Sequence, residues 1–176
     1  MTKIEEHVIL VDSNDIQTGT MEKMQAHLEG LLHRAVSVFI CNSQGDWLLQ
    51  QRAADKYHSN SLWTNTCCTH PFPNETVEES AHRRLFQEMG LQSELAEIHQ
   101  FIYCEKLDNN LTEHEFDHVF FGISDDFPIP DKNEVMSYKY LSYNDLDVAI
   151  NQNPQNYTVW FKHIYKEVNN HIISKK

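Results

Sequence analysis

Thr76-Val77-Glu78-Glu79-Ser80-Ala81-His82-Arg83-Arg84-Leu85-Phe86-Gln87-Glu88-Met89-Gly90 is the stretch that decides the fold. Thr76 followed three residues later by Glu79 is a capping-box pattern, in which a hydroxyl and a carboxylate each take a backbone N–H at the start of a helix. Val77, Ala81, Leu85 and Met89 recur at every fourth position, so one apolar stripe runs to Gly90, a residue suited to the left-handed turn that ends helices. The spacing predicts an amphipathic helix laid on a core. Upstream, Val8 to Val11, Val36 to Cys41 and Trp47 to Gln51 are apolar runs of strand length. The last two are separated by Asn42-Ser43-Gln44-Gly45-Asp46, which predicts a hairpin. A polar loop, Ala53 to Ser61, leads into the β-prone Leu62 to Cys68, which Pro71 and Pro73 stop. Downstream, Ile98 to Glu105, Glu115 to Ile123 and Val135 to Tyr143 read as strands. Asn144 caps a short helix through Ile150, and Tyr157 to Ile173 reads as a closing amphipathic helix. Strands outnumber helices, which fall between and after them. The expected class is α/β (α+β), a mixed β-sheet sandwiched between α-helices.

The 176 residues suit one domain, 1–176, with its core from about residue 5 to residue 170. Lys plus Arg is 14 against 26 Asp plus Glu, a net charge of −12, which repels a phosphate polymer over most of the surface. A nucleic-acid partner is not expected; a small anionic substrate requires basic residues gathered in one place. Met1 to His7 carries no charged-then-apolar signal pattern, and no apolar run approaches the roughly 18 residues of a membrane span. The expectation is a cytoplasmic monomer with no membrane partner. Cys41, Cys67, Cys68 and Cys104 show no secreted disulfide framework and read as thiols. Eleven His in a domain of this size direct attention to a metal site.

Three groups of residues carry chemistry. From Thr69 onward, Glu75, Arg83, Arg84, Leu85, Gln87, Glu88, Gly90 and Leu91 resemble the Nudix box G-x5-E-x7-R-E-U-x-E-E-x-G-U, where U is apolar. That box gathers carboxylates on one helix edge to hold Mg²⁺ against a diphosphate, since hard oxygen ligands suit that ion. Thr69 stands at the first Gly, and Arg84 and Gln87 stand where the box has Glu. Two lost carboxylates deplete the cluster that activates a water, while Arg84 and Glu88, four apart, share a helix edge. In the second group, Thr64 to Pro71, strand alternation points Cys68 and His70 one way and Cys67 the other. The same alternation in the third group, Glu113-His114-Glu115, puts both carboxylates on one face. With His27, His33 and His70 they make a donor set suited to Zn²⁺, Mn²⁺ or Mg²⁺.

Together, Glu22-Lys23, His27, Gly30 to Ala35 and Ser37, then Trp63 to Pro71, then Glu113-His114-Glu115 resemble the type 1 isopentenyl-diphosphate isomerases, a Nudix-fold family, over residues 5 to 170. The resemblance implies His27, His33, His70, Glu113 and Glu115 as ligands of one divalent metal (Mn²⁺, Zn²⁺ or Mg²⁺), with Cys68 and Glu115 flanking the substrate's carbon skeleton. It implies Glu88 as ligand of a second ion, Mg²⁺, bridging to the diphosphate of isopentenyl diphosphate. Lys23, Arg52, Lys56 and Arg84 would neutralise the phosphoryl oxygens, Trp160 would cover the reacting carbons, and Tyr103 would hydrogen-bond the acidic group. An unactivated alkene is a very weak base, so protonating it demands a strong acid in a dry pocket and a stabilised tertiary carbocation. An indole face supplies about 2 kcal/mol to a desolvated cation without offering a nucleophile. The run Tyr57 to Ser61 lacks the Pro-Gly often found before the Trp-Thr-Asn stretch.

Two other readings compete. A Nudix hydrolase of a nucleoside or other diphosphate would use the same helix with water as nucleophile, but Arg84 and Gln87 argue against it. A metal- or redox-sensing module would use the His and Cys residues yet leave Lys23, Arg52, Arg84 and Glu88 without a role.

Overall fold

The structure is a computed structural model that describes residues 6–56 and 58–174. Residue 5, where the expected core begins, and Tyr57 lie outside the described residues.

The strands are β1 (His7–Val11), β2 (Gln17–Glu22), β3 (His33–Cys41), β4 (Trp47–Arg52), β5 (Trp63–Thr64), β6 (Cys67–Thr69), β7 (Leu95–Lys106), β8 (Thr112–Ile123) and β9 (Val135–Leu141). The helices are α1 (Lys23–Glu29), α2 (Val77–Met89), α3 (Tyr143–Gln152) and α4 (Val159–Ser174). β3 is the hub of the sheet. It pairs antiparallel with β1, β4 and β6, and in parallel with β8 from His33↔Glu115 to Cys41↔Ile123. β7 then pairs antiparallel with β8, β9 with β4, and β2 with β1.

The two faces of β3 go to different cores, as period two requires. Val36, Val38 and Ile40 pack with Cys67 against Ala81, Leu85 and Met89 of α2. Phe39 and Cys41 face the other way, toward Leu146 and Ile150 of α3 and Phe161, Ile164 and Val168 of α4. Helices therefore cover both faces, as expected. The decisive helix forms where the sequence places it: Thr76 and Glu79 make both bonds of the capping box, an arrangement worth about 1 kcal/mol. Gly90 ends it at φ 64°, and a Cβ there would lie 2.9 Å from Ile129 O, so glycine is required twice over. The expected hairpin is present between β3 and β4, closed by Asn42 N–H to Asp46 O at 2.9 Å.

Two expectations are corrected and two elements are added. Leu62 to Cys68 is not one strand, because Asn65 and Thr66 divert it. Asn65 Nδ2 donates to Val38 O and Cys67 O, and Thr66 Oγ1 donates to Leu48 O while accepting from Ile40 N, so side chains stand in for the ladder and split it into β5 and β6. Ser142, not Asn144, caps α3, since its hydroxyl accepts from Asp145 N. β2 and α1 are additional elements, formed from polar residues whose pattern gives no strong period. No helix among the described residues is long and apolar enough to cross a membrane.

Candidate active site and metal centre

The alternation that sorts the cores also builds the site. Glu113, Glu115 and Asp117 project from one face of β8, and Ser37, in register with Cys68, projects beside them. β3, β6, β8, α1 and α2 enclose a cavity of about 870 Å³ lined by Lys23, Arg52, Lys56, Cys68, His70, Arg84, Tyr103, Glu113, Glu115 and Trp160. Ten of the thirteen residues singled out in the sequence meet there, and His27, His33 and Glu88 lie buried just behind its wall.

One end is a histidine and glutamate cluster. His27 on α1 and His33 at the start of β3 are brought together by the left-handed Gly30, which ends α1 and turns the chain back. Their rings lie 4.8 Å apart, and His33 lies 4.9 Å from His70. His27 Nδ1 donates to Lys23 O at 2.7 Å and His33 Nδ1 to Leu31 O at 2.8 Å. A carbonyl only accepts, so both rings carry the proton on Nδ1 and present a lone pair on Nε2. His33 Nε2 is buried, makes no hydrogen bond, and points 3.6 Å from Glu115 Oε1. His70 Nε2 lies 2.8 Å from the same oxygen. The donor atoms of His27, His33, His70 and Glu115 fall within 4.8 Å of one another. Three imidazoles and one carboxylate whose donor atoms converge in this way fit a divalent metal ion, which would replace the hydrogen bond between His70 and Glu115. Burial pushes His70 down to about 3, which keeps it neutral, the form that ligates.

Glu113, expected in that set, is placed slightly apart. Its Oε1 lies 3.2 Å from His58 Nε2, and His27, His58 and Glu113 form a second donor group of their own. Tyr103 ties the two carboxyls together, with its hydroxyl 2.5 Å from Glu115 Oε2 and 3.0 Å from Glu113 Oε2. It has one proton, so the shorter bond is to Glu115. Burial raises Glu113 far above the usual carboxylate range and Glu115's charge adds to this; at Glu115 burial is outweighed by His33 and His70, which hold it low.

Cys68 sits between. Its thiol donates to Asn65 Oδ1 at 3.2 Å and lies 3.7 Å from Ser37 Oγ, which itself donates to the buried Asp117 at 2.7 Å. Burial, reinforced by Asp117, pushes the thiol up to about 12. Cys67, one residue away, is fully buried against α2, as the alternation predicts. Trp160 forms a cavity wall with the Arg52 guanidinium 5.3 Å from its ring centroid.

The lining cations are partnered: Lys56 and Arg84 converge on Glu134, while Lys23 stands one turn before His27 on α1 and Arg52 donates to His58 O. Lys23 pairs with Glu6 at 3.1 Å, and Lys56 with Glu134. Arg84 pairs with Glu134 at 2.7 Å and with Glu88. Glu88 is thereby engaged on both oxygens, since Gln50 Nε2 donates to its Oε2 at 2.6 Å. Arg83 is turned to Glu75, at 2.6 and 2.8 Å.

Sequence reasoning passed over His58, Glu134, Gln50 and Asp117. Asp117 was within reach, since extending the alternation of Glu113 and Glu115 by two residues lands on it. Glu134 and Gln50 come from β9's approach and from β4, and their roles depend on pairings that no local pattern announces.

A family model described as NUDIX domain matches residues 31–164. An isopentenyl-diphosphate Delta-isomerase of Pectobacterium atrosepticum is 50% identical over 155 residues, spanning 88% of this chain and 87% of that protein. Isopentenyl-diphosphate Delta-isomerase 2 of Photorhabdus laumondii is 48% identical over 161 residues, spanning 92% and 91%. Among solved structures, DR0079 from Deinococcus radiodurans superposes with a TM-score of 0.71 at 21% identity, covering 84% of this chain and 90% of that one. A structural match at that identity speaks for the shared fold. The curated relatives, about half identical along nearly the whole chain, decide the rest: the chain belongs to the isopentenyl-diphosphate Delta-isomerases, within the Nudix fold.

Proposed function

We propose that Cys68 and Glu115 divide the two proton transfers by which this enzyme interconverts isopentenyl diphosphate and dimethylallyl diphosphate. One group adds a proton to the terminal methylene carbon of the alkene, leaving a tertiary carbocation. The other removes a proton from the adjacent chain carbon, and the double bond reforms one position along with the diphosphate intact. The observation that carries this reading is a thiol and a carboxyl on the walls of one cavity with Trp160, beside a helix whose cavity edge holds Arg83, Arg84 and Gln87. A hydrolase needs a water-activating carboxylate cluster on that edge, and its carboxylate Glu88 is engaged by Arg84 and Gln50.

His27, His33, His70 and Glu115, with Glu113 adjoining, would hold one divalent ion, whose charge makes a neighbouring carboxyl a stronger acid and orients it. Tyr103 fixes the rotamer of Glu115 through its short hydrogen bond. Ser37 and Asn65 fix the thiol of Cys68. Trp160 offers its ring face to the cation and excludes water that would trap it. Lys56 and Arg84, now paired with Glu134 and Glu88, would turn to the diphosphate, and Glu88 would hold Mg²⁺, whose charge would offset that of the phosphoryl oxygens. The proposed unit of function is one domain acting as a monomer, with a small molecule as its partner.

Proton NMR of the protein with isopentenyl diphosphate and Mg²⁺ in D₂O tests this reading. Dimethylallyl signals carrying deuterium, with the diphosphate intact, are expected. Phosphate release with an unchanged hydrocarbon would place the chain with the hydrolases.

A further inference from the structure

His58 is out of place for a loop residue. It lies between β4 and β5 in a polar segment whose neighbours Asn60 and Ser61 are exposed, yet it is itself 6% exposed. The backbone that turns it inward is strained, because Ser59 and Ser61 take φ values of 49° and 61°, left-handed conformations that L residues other than Asn and Asp rarely adopt. Strain of this kind costs about 1–3 kcal/mol per residue and persists where a site depends on it. The inward ring is polar and aimed at a carboxylate: Nε2 lies 3.2 Å from Glu113 Oε1, while Nδ1 faces Ser59 Oγ at 3.2 Å. It stacks at 6.1 Å on His27 and stands edge-on to Trp160 at 6.0 Å.

We propose that His58 is a ligand of the metal centre, giving the ion a shell of four imidazoles and two carboxylates. The inference rests on the metal-holding part of the function proposed above and extends it. Two donor groups lie side by side, His27 with His33, His70 and Glu115, and His27 with His58 and Glu113. They share His27, and His27 has one lone pair to give, because its Nδ1–H is committed to Lys23 O. One nitrogen lone pair binds one ion. The two groups are thus halves of a single shell, and an ion that draws Glu113 into coordination draws His58 with it across their 3.2 Å contact. Four nitrogens also shift selectivity toward Zn²⁺, Co²⁺ or Ni²⁺ and away from Mg²⁺, which prefers oxygen.

X-ray absorption of the Zn²⁺-loaded wild-type protein counts the imidazoles directly and needs no variant. Four are expected; three would overturn the proposal. Competition with a chelator gives the second reading, in which His58→Ala lowers Zn²⁺ affinity by roughly tenfold or more and His58→Asp, which restores a donor, recovers part of it. The Co²⁺-loaded His58→Ala protein should show more intense visible bands than wild type, as a lower coordination number requires. Unchanged affinity and an unchanged Co²⁺ spectrum in a variant whose metal-free melt matches wild type would also overturn it. A wild-type protein that takes up no divalent ion would instead remove the metal centre of the proposed function, so the two failures are distinguishable.

Discussion

The two ends of the cavity hold charge in opposite ways. At the histidine end the groups are short, buried and locked by the backbone: His27 and His33 give their Nδ1 protons to main-chain carbonyls, and Tyr103 pins the carboxyls. At the cationic end long side chains are held by a carboxylate from elsewhere, Lys56 and Arg84 by Glu134. The first end is preorganised for what it binds. The second is occupied by its own counter-charges and, on the proposed function, would exchange partners when a diphosphate arrives. Chemistry that tolerates little displacement sits on the sheet, and recognition that tolerates more is left to flexible stems.

The sharpest test of this contrast is to remove the proton-transfer groups. Cys68→Ala and Glu115→Gln should each lower kcat by roughly 10²–10⁴-fold, the range of general acid–base catalysis, with an unchanged thermal melt for Cys68→Ala and a lowered one for Glu115→Gln, which also weakens the ion's seat. Near-normal turnover in either would break the assignment. Stripping the metal with a chelator should act on stability as well as turnover. Binding at about 100 times Kd contributes about 2.7 kcal/mol, or roughly 5–10 °C for a chain of this size, and calorimetry reads the shift. An unmoved melt would mean the histidine end is not an ion seat. At the cationic end Arg84→Gln should raise KM about tenfold or more while moving kcat less, because it removes a diphosphate partner and no reacting group. Glu134→Gln should do the reverse, tightening inorganic pyrophosphate competition a few-fold, since Lys56 and Arg84 no longer leave a carboxylate to bind it. If Arg84→Gln lowers kcat as Cys68→Ala does, the two ends are one unit and the contrast fails. The smallest effect belongs to Cys67→Ala, which should cost about 1 kcal/mol of stability from the α2 core and leave turnover near normal; a loss like that of Cys68→Ala would reverse the facing of β6.

The same contrast explains what the sequence made legible. Local periodicity exposes α2, because its cap, stripe and terminal Gly90 lie within fifteen consecutive positions, and it exposes the opposite facing of Cys67 and Cys68. It also puts Glu113 and Glu115 together. His27 and His33 acquire meaning through family resemblance, because a short polar helix and a left-handed glycine join them and no repeat marks either. His58 and Glu134 are illegible for a different reason. One is turned inward by the strained backbone around Ser59 and Ser61, the other reaches Lys56 and Arg84 from before β9, and neither geometry is encoded in neighbouring residues. The split of Leu62 to Cys68 was hidden likewise, since Asn65 and Thr66 look like ordinary strand-edge residues until the carbonyls they bond are in place.

The parallel ladder between β3 and β8 has a kinetic meaning. Ser37 and Asp117, which meet on it, are 80 residues apart in the chain, and His33 and Glu115 open the same ladder. Pairings of that sequence separation carry a large loop-closure entropy and slow folding. The hairpin between β3 and β4 and the helix α2 can form from nearby residues, but the ion seat exists only after the distant strand has docked in register. A chain that has slipped by one residue turns Glu115 to the opposite face and loses the seat entirely. Metal uptake by a refolding chain would therefore report when that strand has docked, and docked in register.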